Sequence, residues 1–337
     1  LAEASLSIGK LDGISQKLPN PLMLVNAIAL QEAKSSSEIE NIFTTADELY
    51  KALSTTDIAA SPSAKEVLRY RESLWMGVQN ISDKSSLDLP SIIKIYQKIK
   101  ETTTSLRPEH SNVRIIKEGN SITSGEIIYT PPKGDKLIHD LLNNLLEFIN
   151  NDKKYNIDPI LKMIISHYQF EAIHPFSDGN GRTGRVLNIL VLMNKGLLRH
   201  PILYLSKYII DNKDSYYHYL NGVSARQDWE NWLIFMLTAV SETAKYTIVK
   251  IEEIMQQFES TRKYLDKSFP KLDYTVIEAI FAQPYIKAIH QGSDKIRSRN
   301  TAAKYLDKLH ELKVLELKKI GNERVYINND LMRILEH

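Results

Sequence analysis

The chain has 337 residues, of which 43% are hydrophobic and 25% charged, with a net charge of +2 and no cysteine. Such proportions describe an ordinary globular protein with room for two or three domains. They exclude disulfides and zinc–thiolate sites, and they give no whole-chain case for nucleic-acid binding. No apolar run reaches the roughly 18 residues of a membrane span, and nothing at the N-terminus resembles a signal peptide. A cytoplasmic location without membrane contact is therefore expected.

The first twenty or so residues are mixed and polar, with Pro19 and Pro21 marking a boundary. From Leu22 the pattern turns helical through Val25, Ala27, Ile28 and Leu30, and runs into Ser35-Ser36-Ser37-Glu38-Ile39-Glu40-Asn41. On the residues alone this serine run reads as a loop, with Ser36 or Ser37 capping the next helix. Residues 44–106 read as helices, with Pro62 and Pro90 near helix starts and Tyr70, Trp75 and Tyr96 as packing residues. Val113–Ile116 and Ile127–Thr130 are short β-type runs around Gly119-Asn120 and Ser124-Gly125, so a hairpin is expected over 112–132. Its open edge suits pairing with an extended peptide. An amphipathic helix is expected over 136–157.

Asp158-Pro159 then opens a helix whose apolar residues run from Ile160 to Ile173, and a second buried helix follows from near Gly181 to Gly196. Between them stands His174-Pro175-Phe176-Ser177-Asp178-Gly179-Asn180-Gly181-Arg182-Thr183-Gly184-Arg185. The first amides of a helix lack partners and sit at the positive end of its dipole, so they attract anions. The glycines let backbone approach a phosphate chain, Arg182 and Arg185 can fork onto its oxygens, and Asp178 can hold Mg²⁺. His174 is the natural proton acceptor beside them. Gly179-x-Gly181-x-x-Gly184 matches the dinucleotide fingerprint, but that motif must follow a strand. The Walker spacing also fails, because Arg185-Val186 replaces its Lys-Ser/Thr.

The stretch resembles the Fic-domain signature H-P-F-x-[D/E]-G-N-G-R-x-x-R at every defined position. The resemblance implies a mainly α fold: a helical bundle with a β-hairpin flap, here followed by a C-terminal winged helix-turn-helix domain. It implies transfer of AMP from ATP, with Mg²⁺, to a Ser, Thr or Tyr hydroxyl of a target protein. His174 would be the base and Phe176 the anchor of the loop. Asp178 would bind Mg²⁺, and Gly179, Asn180, Gly181, Thr183 and Gly184 would line the phosphate pocket. Arg182 and Arg185 would hold the β- and γ-phosphates. Ser36-x-x-x-Glu40-Asn41 resembles the inhibitory motif [S/T]-x-x-x-E-[G/N], with Glu40 facing Arg185 in the γ-phosphate's place. Glu126, Ile127, Ile128 and Tyr129 would be the nucleotide-proximal part of the flap, and Tyr217, Leu220 and Ser224 the adenine side. The partners so implied are ATP, a hydroxyl-bearing protein (the chain itself included) and a second copy of the chain. Removal of AMP from a target by the same site is the alternative activity, with Glu40 then catalytic.

Domain boundaries are expected near 60 and 257: an N-terminal region with the inhibitory helix, a catalytic core over 61–257, and a tail module over 258–337. In the tail, Tyr274–Phe281, Ile286–Gln291 and Ser298–Leu312 read as helices, and Val314–Ile320 with Arg324–Ile327 as a hairpin about Gly321-Asn322. That is the winged helix-turn-helix order. Between Tyr285 and Tyr326 ten lysines and arginines face five acids, which makes the module basic and leaves the rest of the chain acidic. DNA binding there is left open, with a nucleotide-sensing transcriptional regulator as the corresponding function.

Overall fold

Asp158 starts the helix on which the rest is built: its carboxylate accepts from Ile160 N at 2.8 Å, and Pro159 follows at the first helical position. A computed structural model describes residues 1–17, 22–54, 60–84, 86–116, 127–288, 299–320 and 323–336. The elements before this helix are α1 (Ala2–Ser15), α2 (Leu22–Ile39), α3 (Ala46–Ser54), α4 (Pro62–Lys84), α5 (Leu89–Lys100), β1 (Ile115–Ile116), β2 (Ile127–Tyr129) and α6 (Asp135–Asn150). Then come α7 (Pro159–Ile173), α8 (Asn180–Asn194), α9 (Leu205–Asp211), α10 (Lys213–Arg226) and α11 (Trp229–Ser268). The tail holds α12 (Tyr274–Ala282), β3 (Tyr285–Ile286), α13 (Arg299–Glu311), β4 (Glu316–Ile320), β5 (Glu323–Ile327) and α14 (Asn329–Glu336).

α8 is the centre. Val186, Leu187, Ile189, Leu190, Val191 and Leu192 are all buried, so the helix is apolar on every side and must be surrounded. α7, α4, α5 and α2 surround it. Each such side chain contributes about 1.5–3 kcal/mol on burial, which fixes α8 and with it the end of the loop that enters its N-terminus.

The mainly α architecture is as expected, with differences at four places. The polar opening segment is helix α1: Ala4, Ile8 and Leu11 fall on one face and pack on α11. The serine run is the last turn of α2 rather than a loop. α6 stops at Asn150, not 157, because Asn151 forms a turn in which its side chain accepts from Lys154 N at 3.0 Å. Ile286 ends a two-residue strand rather than starting a helix, since Tyr285 and Ile286 pair antiparallel with Ile327 and Tyr326. Residues 289–291 of that expected helix, with Ser298 and the Gly321-Asn322 turn, lie outside the described residues.

The hairpin pairs Ile115 with Tyr129 and Ile116 with Ile127. Its tip, including Gly119-Asn120, Ser124-Gly125 and Glu126, lies outside the described residues, as do Pro19 and Pro21. The tail sheet has the order β3-β5-β4, with α12 and α13 preceding its hairpin. α11 runs unbroken across residue 257. Among the described residues no helix is long and apolar enough to cross a membrane.

Candidate active site

His174 ends α7 by taking a left-handed conformation (φ 49°), and the chain turns there into the loop. Arg107 holds the turn from outside: its Nε donates to His174 O at 2.8 Å, its backbone N–H to Pro175 O at 2.9 Å, and Nη2 to Pro132 O beyond the hairpin. Phe176 is buried with its ring stacked on Tyr96, centroids 3.9 Å apart. Asn180 closes the loop on itself, accepting from Phe176 N and donating to Phe176 O, both at 2.8 Å. Its side chain is thereby committed to loop shape. The opening amides of α8 remain for an anion.

The imidazole of His174 is largely buried, and its Nδ1 has no hydrogen-bond partner. Burial, and then the nearby Arg107 cation, pull its pKa down to about 4. At neutral pH it is an uncharged ring able to accept a proton. His167, one face deeper, bonds Tyr216 Oη at 2.9 Å and is driven by burial to about 3, so it packs rather than reacts.

Glu171 is half-buried, with its Oε1 shut off from solvent, and burial pushes it up to about 8, so it is protonated at neutral pH. It lies against the backbone of α8 at Gly184. A Cβ at 184 would collide with Glu171 Oε1 and come within 3.1 Å of Phe170 Cδ1. Gly184→Ala should therefore lower stability by about 1–3 kcal/mol through overpacking, despite alanine's better helix propensity. A higher melting temperature for the variant would show that this packing account is mistaken.

Arg185 is only 2% exposed and faces the end of α2. Its Nε donates to Ser36 Oγ at 2.7 Å, and its Nη2 to Ser36 O at 2.8 Å and Glu40 Oε1 at 2.7 Å. Burial disfavours the guanidinium charge, but the Glu40 carboxylate outweighs it and holds the arginine above its usual pKa. Gly181 makes room for this carboxylate, since a Cβ there would land on Glu40 Oε1. Glu40 thus sits at the anion-attracting start of α8. Asn41, the third residue of that expected group, turns away in a left-handed conformation and accepts from Lys213 Nζ at 3.2 Å.

Arg182 points the other way. Its Nη1 pairs with Glu66 of α4, and Lys100 Nζ meets the same Glu66 at 3.2 Å. Lys100 also bridges to Asp178 Oδ2 at 2.7 Å, and Asp178 Oδ1 accepts from Gly179 N at 2.6 Å. Partial burial works against the Asp178 charge, but Lys100 and the Gly179 amide hold it ionised. Thr183 Oγ1 donates to Gly179 O at 2.9 Å, closing the first turn of α8. Among the described residues no group of three or more His, Cys, Asp or Glu could hold a metal ion. A lone ionised carboxylate, 64% exposed at the side chain, fits Mg²⁺ only with substrate oxygens completing the shell.

At the flap, Tyr129 Oη donates to Ala172 O at 3.0 Å, which fixes β2 beside the end of α7, while Ile127 and Ile128 stay exposed. α10 meets β2 and carries Tyr217, Leu220 and Ser224. Tyr217 is exposed, Leu220 half-buried, and Ser224 Oγ lies 3.0 Å from Tyr168 Oη. Sequence reasoning missed Glu66, Lys100, Arg107 and Glu171. Only Glu171 carried a signal, as the one acid within α7.

Residues 1–79 match the Fic/DOC family N-terminal description, 86–192 the Fic/DOC family, and 257–331 the C-terminal domain of SoFic-like protein adenylyltransferases. A probable protein adenylyltransferase of Aquifex aeolicus is 40% identical over 81 residues, 24% of either chain. A protein adenylyltransferase of Caenorhabditis elegans is 31% identical over 90 residues, 25% of this chain and 18% of the relative. One from Drosophila mojavensis is 24% identical over 239 residues, 68% of this chain and 45% of the relative. The chain thus spans less than half the length of these relatives. A Fic family protein of Desulfovibrio desulfuricans shares the fold over 97% of this chain and 95% of its own, with a TM-score of 0.57 at 19% identity. Caenorhabditis elegans Fic-1 does so over 73% and 71%, with a TM-score of 0.55.

Proposed function

Because the chain belongs to the Fic/DOC family, we propose that it is a protein adenylyltransferase, moving AMP from ATP to a Ser, Thr or Tyr hydroxyl of a protein. The observation that carries this reading is the uncharged imidazole of His174, at the turn that leads into α8. In the proposed step the target hydroxyl gives its proton to His174, its oxygen bonds to the α-phosphorus, and the bond to the β-phosphate breaks. Pyrophosphate leaves. General-base help of this kind is worth roughly 10²–10⁴. The α8 amides and Arg185 would hold the phosphates as negative charge develops. Arg182 must leave Glu66 to join them. Asp178 would hold Mg²⁺, which when bound would neutralise phosphate charge and orient the leaving group. Exposed Ile127 and Ile128 beside the Tyr129 anchor would register the target segment.

Glu40 on Arg185 is read as an inhibitor, because it holds the guanidinium a γ-phosphate would need. The same carboxylate is partly exposed, which favours a second reading in which it positions water to remove AMP from a modified target. The test is radiolabel transfer: ATP labelled at the α-phosphate should mark protein (a target or the chain itself), and γ-labelled ATP should not. Transfer of the γ-label would make the chain a phosphotransferase and end the α-attack account.

A further inference from the structure

Loading a triphosphate on the 174–185 loop requires two exchanges: Arg182 leaves Glu66, and Asp178 gives its carboxylate to a divalent cation. One ammonium, that of Lys100, touches the carboxylate at each end. Lys100 is the last residue of α5, where the negative end of the helix dipole favours a cation. Tyr96 lies one turn before it and carries the Phe176 ring, so α5 is fixed against the loop. The Lys100 stem crosses the residue that precedes α8, since a Cβ at Gly179 would stand 3.1 Å from both its Cγ and its Cδ. Its Nζ then reaches Asp178 Oδ2 at 2.7 Å and Glu66 Oε1 at 3.2 Å.

The four charges close a ring. Arg182 Nη1 pairs with Glu66, Lys100 joins Glu66 to Asp178, and Arg182 Nη2 stands 4.0 Å from Asp178 Oδ1. Side-chain exposure climbs from 2% at Arg182 through 19% at Glu66 and 25% at Lys100 to 64% at Asp178. Asp178 is therefore the member open to a metal ion from solvent. Glu66 lies deeper, where losing its cation is costly, so Arg182 can leave only if another cation takes over. Lysine suits that exchange, because its ammonium is a compact charge with three donors on a flexible stem. Arg182 is also poised to move. Its Nε is buried with no hydrogen-bond partner among the described residues, so that edge of the guanidinium still lacks an acceptor.

We propose that Lys100 is a positioning residue that changes partners on loading: it neutralises Asp178 in the empty protein and Glu66 in the loaded one, and so releases Arg182 to the triphosphate. The inference rests on the reading of the 174–185 loop as a triphosphate site. Before loading, one ammonium is shared between two carboxylates. Once Asp178 is committed to a divalent cation, the same ammonium turns wholly to Glu66, and Arg182 is no longer needed there. Lys100 touches no reacting atom in this scheme; it acts through Glu66 on Arg182. Metal occupancy at Asp178 and phosphate capture by Arg182 are thereby coupled.

The test measures ATP affinity by titration calorimetry, with Mg²⁺ and with EDTA, for the full chain, Lys100→Met, Glu66→Gln and the double variant. With Mg²⁺, Lys100→Met should weaken ATP binding by about fivefold or more, because Glu66 then keeps Arg182. Glu66→Gln should bind ATP at least as tightly as the parent. The double variant should bind like Glu66→Gln, since a neutral amide needs no cation. With EDTA that rescue should vanish, because Asp178 then faces the triphosphate without a counterion. A double variant as weak as Lys100→Met in Mg²⁺ overturns the proposal and puts Lys100 directly on phosphate. One weaker than either single variant overturns it too, and leaves the ring structural. Rescue of equal size in EDTA overturns the exchange with Asp178. Should Lys100→Met not melt cooperatively, Lys100→Gln takes its place in the same cycle. Affinity is the readout, so the expected cycle in a chain that transfers no label removes the transferase reading and keeps this one. Label transfer beside a failed cycle removes this one alone, and a parent that binds no ATP removes both.

Discussion

His174→Ala should reduce α-label transfer by roughly 10²–10⁴ while ATP affinity changes little. The reasoning is local. The imidazole stands at the turn between α7 and α8, where burial and then the Arg107 cation lower its pKa and the Glu171 backbone and the Glu40 and Asp178 carboxylates partly oppose them. Alanine removes the proton acceptor but leaves Phe176, Asn180 and the α8 amides in place, so the anion site should survive. The arginine at 107 makes the pH dependence informative. Burial and that cation put the free-protein pKa at about 4, so kcat/KM should stay flat as pH falls from neutrality and drop only on approach to that value. A base with an ordinary histidine pKa would instead lose activity near pH 6.5. Full label transfer by His174→Ala would remove the residue from the chemistry. A break near pH 6.5 in the unaltered protein would show that the ring is less buried in solution.

Stability should show the same groups with the sign worked through. His167 and His174 have folded pKa values below that of free histidine. Their contribution is present above about pH 6.5 and is lost as pH falls toward the folded values, because the unfolded chain binds those protons first. Glu171 is raised, so it acts oppositely, and its contribution weakens as pH climbs from about 4.5 toward 8.

The sequence made the loop legible because its twelve residues are contiguous, and local chemistry dictates local shape. Helical spacing likewise put Ser36 and Glu40 one turn apart, and the structure brings both to Arg185. What stayed hidden depends on which distant element arrives. Glu66 takes Arg182, Lys100 takes Asp178, and Arg107 grips the His174 turn; no spacing rule connects these pairs. α1 escaped notice because its buried stripe is thin, with Ser7 and Ser15 beside only Ala4, Ile8 and Leu11. Ile286 reads as a helix start in the sequence because a short apolar run does not distinguish helix from strand until a partner, here β5, is known.

Glu40→Gly should raise α-label transfer on the order of a hundredfold, since misplacing a reacting group by about 1 Å costs that much. Two effects of opposite sign are expected from this one change. Without nucleotide the variant should melt lower, because Arg185 keeps its bonds to Ser36 but loses its carboxylate in a buried setting. Breaking a fully buried pair costs about 3–5 kcal/mol. Glu40 is partly exposed, so water screens the interaction and the loss should be smaller. Excess ATP should then restore more stability to the variant than to the parent, because its phosphates replace the missing anion without first displacing one. Ligand at about a hundred times its Kd contributes about 2.7 kcal/mol. The combination separates the readings of Glu40. An inhibitor's removal gives faster transfer and a larger ATP-induced shift, whereas loss of a water-positioning group would abolish removal of AMP from a labelled target without any gain in transfer. If Glu40→Gly neither speeds transfer nor enlarges the ATP shift, the contact between α2 and Arg185 is structural, and the self-inhibition proposed for this chain is wrong.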